Sequence, residues 1–221
     1  FFQAGDGIRV VVRSRGVGEG YIPVVRVGRQ ELLYGKQRLV SPLPWANSMR
    51  HWDGARLIVE FDRWRVDAFA TRALAIKKHQ FDDWQGGSDF YGAYAAGKVG
   101  PEDTPVDLDL YFLGLNRENA TFNGTSGEED RFSVGARFGG VIAGTGIDFD
   151  AEATYQFGDV GSANASAFSF AAVLVYTFPH THLDPRLPRR LDYARGDVTT
   201  GDHTVATVNQ HFTRQHVSAA H

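Results

Sequence analysis

The sequence predicts an all-β protein whose antiparallel strands form a transmembrane β-barrel. Three observations support this fold class. Stretches of about ten residues alternate between apolar and polar side chains, short turns alternate with long polar connections, and no apolar run reaches the roughly 20 residues of a membrane helix. Lipid contacts one face of a barrel strand and the lumen contacts the other, so a period of two is expected.

The alternation is clearest between residues 106 and 178. In residues 147–157 every odd-numbered residue is apolar and every even-numbered residue is polar. Residues 106–112 and 131–138 keep the same period, and residues 166–178 keep it with small side chains on the second face. We therefore assign the apolar face to lipid and the opposite face to the lumen.

Counting such stretches gives about nine strands in a meander. Their expected bounds are residues 24–34, 55–61, 64–75, 89–98, 105–115, 131–142, 146–157, 166–178 and 186–195. Residues 1–23 can add a hairpin that turns at residues 16–20. A ten-residue strand that rises about 3.3 Å per residue and tilts by about 45° covers roughly 23 Å, close to the apolar band of about 25 Å in outer-membrane barrels.

Connection lengths alternate along the chain, as they do where short periplasmic turns face long external loops. The long connections are residues 35–53, 77–88, 116–130, 158–165 and those after 196. The short connections are residues 62–63, 99–104, 143–145 and 179–184. The aromatic residues near strand ends, which suit the two membrane interfaces, are Phe61, Trp64, Tyr155, Phe157, Phe168, Tyr176 and Phe178.

Composition excludes several classes of protein. The net charge of −3 and the absence of a basic stripe argue against a nucleic-acid partner. The absence of Cys removes disulfides and thiolate metal ligands. We expect residues 1–221 to form a single β-barrel domain, with residues 197–221 as a polar loop or tail. Because those last residues contain no closing strand that ends in an aromatic residue, we expect the chain to be a piece of a larger barrel.

Several motifs in the chain resemble the alginate-export family of outer-membrane porins. They are RVGRQELLYGKQRLV at residues 26–40, SPLPWANSMRHWDGARLIV at 41–59, WRVDAFAT at 64–71, FDDW at 81–84, DFYG at 89–92, LDLYFLGLNR at 108–117, EATYQFGD at 152–159 and LDYARGD at 191–197. The resemblance covers most of residues 24–197. It implies an eighteen-stranded barrel in the bacterial cell outer membrane that exports an anionic polyuronate, such as alginate, through an arginine-rich lumen.

The candidate substrate contacts are arginines, whose planar guanidinium binds carboxylates through two hydrogen bonds. Phase places five of them on the lumen side: Arg56, Arg65, Arg131, Arg137 and Arg190. Three more lie in the family-like motif, where alternation is less regular: Arg26, Arg29 and Arg38. Arg65 and the motif arginines are the preferred contacts. Several weak sites in series would let a polymer pass without being trapped.

The same face also carries carboxylates, which leaves a second interpretation open. They are Glu60, Asp67, Asp107, Asp109, Asp148, Asp150, Glu152 and Asp192. Charges of both signs on facing strands can simply form cross-strand ion pairs that hold the wall rigid. The arginines are then structural.

Signals for an enzyme or a cofactor are weak. Two carboxylates on one strand face, as at Asp107 and Asp109, follow from lumen alternation alone. His180 and His182 could bind a metal, but an exposed polar turn explains them. We therefore expect no catalytic residue, no metal and no cofactor.

The sequence thus predicts an outer-membrane channel for an anionic polysaccharide or a related solute, with residues 35–53 among the gating loops. The expected partners are that solute, outer-membrane lipid and periplasmic export components. Two alternatives remain open at this point: a small outer-membrane enzyme or adhesin that uses its loops, and a soluble β-sandwich or lipocalin-like binding protein.

Overall fold

The computed structural model of the protein describes residues 10–13, 21–43, 49–75, 83–122, 125–178, 185–195 and 204–205. Eleven strands lie within these ranges. They are β1 (Val10–Arg13), β2 (Tyr21–Gln30), β3 (Trp52–Phe61), β4 (Trp64–Ala75), β5 (Asp83–Val99), β6 (Val106–Phe122), β7 (Thr125–Ile142), β8 (Ile147–Val160), β9 (Ala163–Thr177), β10 (Arg186–Ala194) and β11 (Thr204–Val205). No described residue belongs to a helix long and apolar enough to cross a membrane.

The strands form one sheet in which β1 to β10 follow their sequence order, each antiparallel to the next. The short β11 pairs in parallel with the start of β9. The predicted all-β meander is therefore confirmed, and all nine expected strands are present. The sheet is not closed into a barrel, since among the described strands β1 pairs only with β2 and β10 pairs with β9.

Several predicted loops are wrong because the strands run further than alternation alone indicates. β6 and β7 continue as a hairpin through most of residues 116–130, although these residues are polar. β8 and β9 are joined by residues 161–162 instead of a long loop. Ladder hydrogen bonds satisfy the backbone in both places and do not require apolar side chains. The hairpin expected within residues 1–23 is found only in part: β1 pairs with residues 24–27 of β2, and residues 16–20, where the turn was expected, lie outside the described part.

The register separates the residues of each strand onto two faces, because directly opposite residues of antiparallel strands share a face. On the outer face, Leu108 of β6 lies opposite Phe138 of β7, and Leu110 lies opposite Ala136. The inner face carries Asp109 opposite Arg137. The exposed large apolar residues of the outer face are Val25, Val27, Leu57, Phe61, Leu110, Phe112, Val134, Phe138, Ile142, Tyr155, Phe157, Phe168, Leu174, Tyr176, Phe178, Leu187, Leu191 and Tyr193.

The apolar band of the outer face ends at a row of polar residues on the side of the long β2–β3 connection. Each member of this polar row is directly opposite the next in the register. The row consists of Arg29, Asp53, Arg72, Asp89, Asn116, Asp130, Asp159 and Asn164. Ion pairs and hydrogen bonds join neighbours within it, including Arg72 Nε to Asp89 Oδ1 at 2.7 Å.

The buried core lies on the inner face, beneath part of the β2–β3 connection. We call residues 31–43 the inward segment. Its buried side chains contact an inner-face cluster, and the members of this joint core are Leu32, Tyr34, Leu39, Val40, Trp52, Phe69, Ala73, Phe90, Tyr94, Tyr111, Leu113 and Leu115. The long connection therefore folds over the sheet wall instead of extending away from it. Burying Leu32, Tyr34, Leu39 and Val40 at about 1.5–3 kcal/mol each stabilises this arrangement by roughly 6–12 kcal/mol.

Candidate functional site

The candidate site is the inner face of the sheet. In a soluble protein the apolar face of a sheet is buried and the polar face is exposed, and here the two faces are the other way round. The buried residues of the inner face include many polar and charged side chains, while the apolar outer face is exposed. The buried polar residues of this face are Gln30, Arg56, Asp67, Thr71, Ser88, Asp109, Glu129, Arg131, Ser133, Arg137, Glu152, Thr154 and Gln156. Buried charges are costly unless paired, so the pairing of these groups determines what the face can bind.

The inward segment contacts the inner face of the sheet through a tight turn. Gln37 N donates to Tyr34 O at 3.0 Å, and Gly35 has a φ of +52°. A Cβ at Gly35 would lie 2.7 Å from the Tyr94 hydroxyl and 3.4 Å from Asp109 Oδ2. Only glycine combines this backbone conformation with so close an approach to the wall.

Aromatic stacking fixes the segment to the wall beside this turn. The Tyr34 ring stacks on Tyr94 with centroids 4.5 Å apart, and Tyr94 stacks on Tyr111 at 5.5 Å. Tyr34 also lies 5.6 Å from the Phe69 ring. Burial raises the pKa of Tyr34 well above its ordinary value, against the opposing effect of Arg56, so its hydroxyl stays protonated.

Arg38 anchors the other side of the segment to β8. Its Nη1 donates to Glu152 Oε2 at 2.8 Å, and its Nη2 lies 2.7 Å from Asp150 Oδ1. Burial acts to lower the pKa of Arg38, but the hydrogen bonds to Glu152 and Asp150 outweigh it and the pKa is raised. The guanidinium is therefore permanently charged and bound to two carboxylates.

A second arginine joins the same acidic residues from within the sheet. Arg137 on β7 donates through Nη1 to Asp109 Oδ2 at 3.0 Å and through Nε to Asp150 Oδ2 at 2.8 Å. The Tyr94 hydroxyl donates to Asp109 at 2.8 Å. Four strands, β5 to β8, and the inward segment are thus connected by one hydrogen-bonded network of charged and polar groups.

The hydroxyl of Tyr111 extends this network towards β8. It donates to Glu152 Oε1 at 3.0 Å and lies 2.6 Å from the Thr154 hydroxyl. Glu152 therefore accepts from both Tyr111 and Arg38, and each of its oxygens has a donor. A carboxylate satisfied in this way is held in place and has little capacity left for another ligand.

Arg56 and Arg65 form a separate network on β3 and β4. Arg56 binds Asp67 through Nε at 3.0 Å and lies 5.2 Å from the centre of the Tyr34 ring. Arg65 Nε donates to Asp67 Oδ1 at 2.9 Å and lies near Glu60. Arg65 is 44% exposed, so it is the most accessible arginine of this group.

Three further inner-face arginines, Arg117, Arg131 and Arg190, are also paired. Arg131 Nε donates to Glu129 Oε1 at 2.7 Å, with both side chains fully buried, and Arg117 Nε donates to the same carboxylate at 2.6 Å. On β10, Arg190 pairs with Asp192 at an exposed position. Arg117 on β6 therefore pairs across strands, whereas Arg131 and Arg190 pair with carboxylates of their own strands, β7 and β10.

The structure distributes the candidate arginines unevenly. Arg56, Arg65, Arg131, Arg137 and Arg190 lie on the inner face, as their phase indicated, and Arg38 reaches that face from the inward segment. Arg29 lies on the outer face, in the polar row, with Nε 3.2 Å from Asp53. Arg26 lies on the inner face directly opposite Arg56 and is exposed.

Three cations on or near the inner face have no ion pair with a carboxylate within the part of the chain that the structure describes. They are Arg26 on β2, Lys98 on β5 and Lys36 in the turn of the inward segment, and all three are exposed. Sequence reasoning missed Lys36 because it considered only arginines as substrate contacts. The motif GKQR at residues 35–38, in which glycine precedes two cations, is the signal that could have identified it.

No group of residues suited to a metal ion exists among the described positions. His180 and His182, which the sequence analysis attributes to an exposed polar turn, lie outside the described residues. A narrow cleft with a free volume of about 10 Å³ lies between the inward segment and the sheet, lined by Tyr34, Leu39, Val40, Tyr94, Tyr111, Leu113 and Glu152. A cavity of this size holds about one water molecule, so a sugar unit would not fit beneath the segment.

Comparison with known proteins gives one match. A family model described as "Alginate export" matches residues 11–221, almost the whole chain. No curated protein and no solved structure matches the chain.

Proposed function

Because this chain belongs to the alginate export family, we propose that its sheet is part of the wall of an outer-membrane β-barrel through which an anionic polysaccharide passes. The observation that carries the proposal is the reversed burial of the two faces. A continuous apolar face, with residues such as Leu174 and Phe138 about half exposed, needs an apolar environment. Lipid on one side and a hydrated lumen on the other supply both environments.

The single-sheet architecture supports a membrane wall over a soluble sandwich. A sandwich buries its apolar face against a second sheet, whereas all described strands belong to one sheet. The exposed aromatic residues also lie near both ends of the outer face, with Tyr176 and Phe178 at one end and Tyr155 and Phe157 towards the other. This placement suits the two interfaces of a bilayer.

Closure of the barrel is part of the proposal. In lipid, each unpaired backbone group at the edges of β1 and β10 would cost several kcal/mol, so both edges must be paired. Further strands between these edges, to a total of about eighteen as the family implies, would remove them. Outer-membrane lipid is then the partner of the outer face, and periplasmic export components are proposed partners at the short-turn end.

The inner face suits the passage of a charged polymer better than its tight binding. Its arginines are held by carboxylates, as Arg137 is by Asp109 and Asp150, so each offers a polymer carboxylate only a weak, partly neutralised contact. Conduction requires sites that are weak and numerous. Membership of a transport family also favours a conduit over an enzyme.

Conductance measurements in a planar bilayer test this proposal. The purified protein is reconstituted in a planar bilayer, and current is recorded while an oligouronate or a neutral oligosaccharide of equal length is added. The proposal predicts stepwise conductance that the oligouronate blocks at a lower concentration than the neutral sugar. Absence of conductance, or equal block by both sugars, would contradict it.

A further inference from the structure

We propose that Lys36, at the turn of the inward segment, is the residue that selects acidic sugar units inside the lumen. The proposal rests on the proposed function and names the cation that acts in it. The candidates from sequence were arginines of the strands, whereas Lys36 belongs to a connection and lies above the wall. Three features of the structure support this assignment.

The first feature is that the segment carrying Lys36 is fixed in the lumen. Its neighbours on both sides are held: Gly35 approaches the Tyr94 hydroxyl and Asp109, and Arg38 binds Asp150 and Glu152. The aromatic stack of Tyr34 on Tyr94 adds a third attachment. Lys36 is thus presented from a rigid turn, which is what a selective contact requires. A gating loop has to move, whereas movement of this segment would require all three attachments to break together.

The second feature is the availability of the Lys36 charge. Every inner-face arginine of β3 to β10 in the described part of the chain binds at least one carboxylate. Lys36 is exposed and has no such partner among the described residues. An ammonium group without a partner offers its full charge to a passing carboxylate, whereas a paired guanidinium must first exchange partners.

The third feature is the space on each side of the segment. The cleft beneath it is too small for a sugar unit and is lined mainly by apolar side chains. A polymer must therefore pass on the open side, where the exposed residues of the segment are Glu31, Leu33, Gly35 and Lys36. Of these, only Lys36 attracts an anion. Arg26 and Lys98 are the other inner-face cations without an ion pair in the described residues, but both lie on strands of the sheet and not on the segment that projects from it.

The test compares block of the channel by an oligouronate in three variants and the parent protein. Lys36→Gln removes the charge and Lys36→Arg keeps it. Arg63→Gln makes the same change in net charge at the opposite end of the sheet, where Arg63 lies in the β3–β4 turn and is partly exposed. A neutral oligosaccharide of equal length reports any change in pore width. All four proteins are recorded in the same bilayer and salt.

Lys36→Gln is expected to raise the half-blocking concentration of the oligouronate by about tenfold, the effect of losing one charge-assisted hydrogen bond. Block by the neutral sugar should stay unchanged, and both Lys36→Arg and Arg63→Gln should behave like the parent. Unchanged oligouronate block in Lys36→Gln, or an equal loss in Arg63→Gln, would overturn the role of Lys36 while leaving the channel in place. A parent protein that the oligouronate does not block would instead overturn the proposed function and this inference with it.

Discussion

Arg38 and Glu152 lie 114 positions apart in the chain and meet through a hydrogen bond of 2.8 Å between Nη1 and Oε2. This contact joins the β2–β3 connection to β8, across the strands between them. Asp150 binds the same guanidinium at 2.7 Å. The β2–β3 connection is therefore bound to the sheet. Without it, Asp150 and Glu152 of β8 would lose the cation that they share.

Arg38→Gln should lower the free energy of unfolding by about 3 kcal/mol, because it leaves the buried Glu152 without a counter-charge and removes one of the two arginines that bind Asp150. Arg190→Gln is the matched control. Arg190 pairs with Asp192 at an exposed site, so the same substitution should cost less than about 1 kcal/mol. Urea titration of both variants in lipid vesicles measures the difference. Equal losses of unfolding free energy would show that the ion pairs of Arg38 contribute no more than the exposed pair of Arg190 and Asp192.

Gly35→Ala should destabilise the protein more than Gly144→Ala. Both glycines have positive φ, +52° and +73°, so both substitutions add backbone strain of about 1 kcal/mol. A Cβ at Gly144 meets no atom within 4 Å, whereas at Gly35 it would meet the Tyr94 hydroxyl at 2.7 Å.

The added cost at Gly35 should fall when that hydroxyl is removed. Unfolding of Gly35→Ala is therefore compared in the parent and in a Tyr94→Phe background. A smaller penalty in the second background supports close packing of the turn on the wall. The same penalty in both backgrounds would mean that the turn does not lie against Tyr94.

Leu110→Arg and Asn116→Arg place the same charge at two heights of the outer face. Leu110 is 46% exposed within the apolar band, and Asn116 belongs to the polar row beside Asp130. A lipid-facing arginine costs about 2–4 kcal/mol near the midplane and about 0–1 kcal/mol near the interface.

Leu110→Arg should therefore reduce stability in vesicles by about 2–4 kcal/mol, while Asn116→Arg should change it little. Urea titration after insertion reports both values. Should the two substitutions cost the same, the apolar band would not contact lipid.

Alternation predicted the strands well because each is specified by its own residues. β8 is the clearest case: residues 147–157 alternate without exception, and the structure extends the strand only to Val160. The ends of strands were less predictable. Residues 116–122 and 125–130 are polar, yet they pair as a hairpin, since their ladder depends on a partner strand and not on apolar side chains.

The inward segment could not be predicted from the sequence alone. The expected strand at residues 24–34 ends at Gln30, although Leu32 and Tyr34 continue the alternation and remain buried. What stops the strand is the lack of a ladder partner beyond Trp52, which pairs with Gln30. What holds the segment is contact with Tyr94, Asp150 and Glu152, residues that come near it only when the sheet has formed.

The pairing of charges on the inner face could not be predicted from the sequence either. Phase correctly put Arg56, Arg131 and Arg137 on the inner face, but phase cannot tell which carboxylates reach them. Arg137 bonds to Asp109 on one neighbouring strand and to Asp150 on the other. The role of the arginines as substrate contacts stays a prediction.

The most direct test of the account asks which face of one strand contacts lipid. Leu174 and Val175 are neighbours in β9 on the outer and inner faces, and the chain has no Cys, so a single Cys at either position can be labelled specifically. Spin labels in vesicles are then exposed to oxygen and to a water-soluble nickel chelate. The label at Leu174 should collide mainly with oxygen and the label at Val175 mainly with the chelate. Equal accessibility of the two labels to the chelate would contradict a membrane wall.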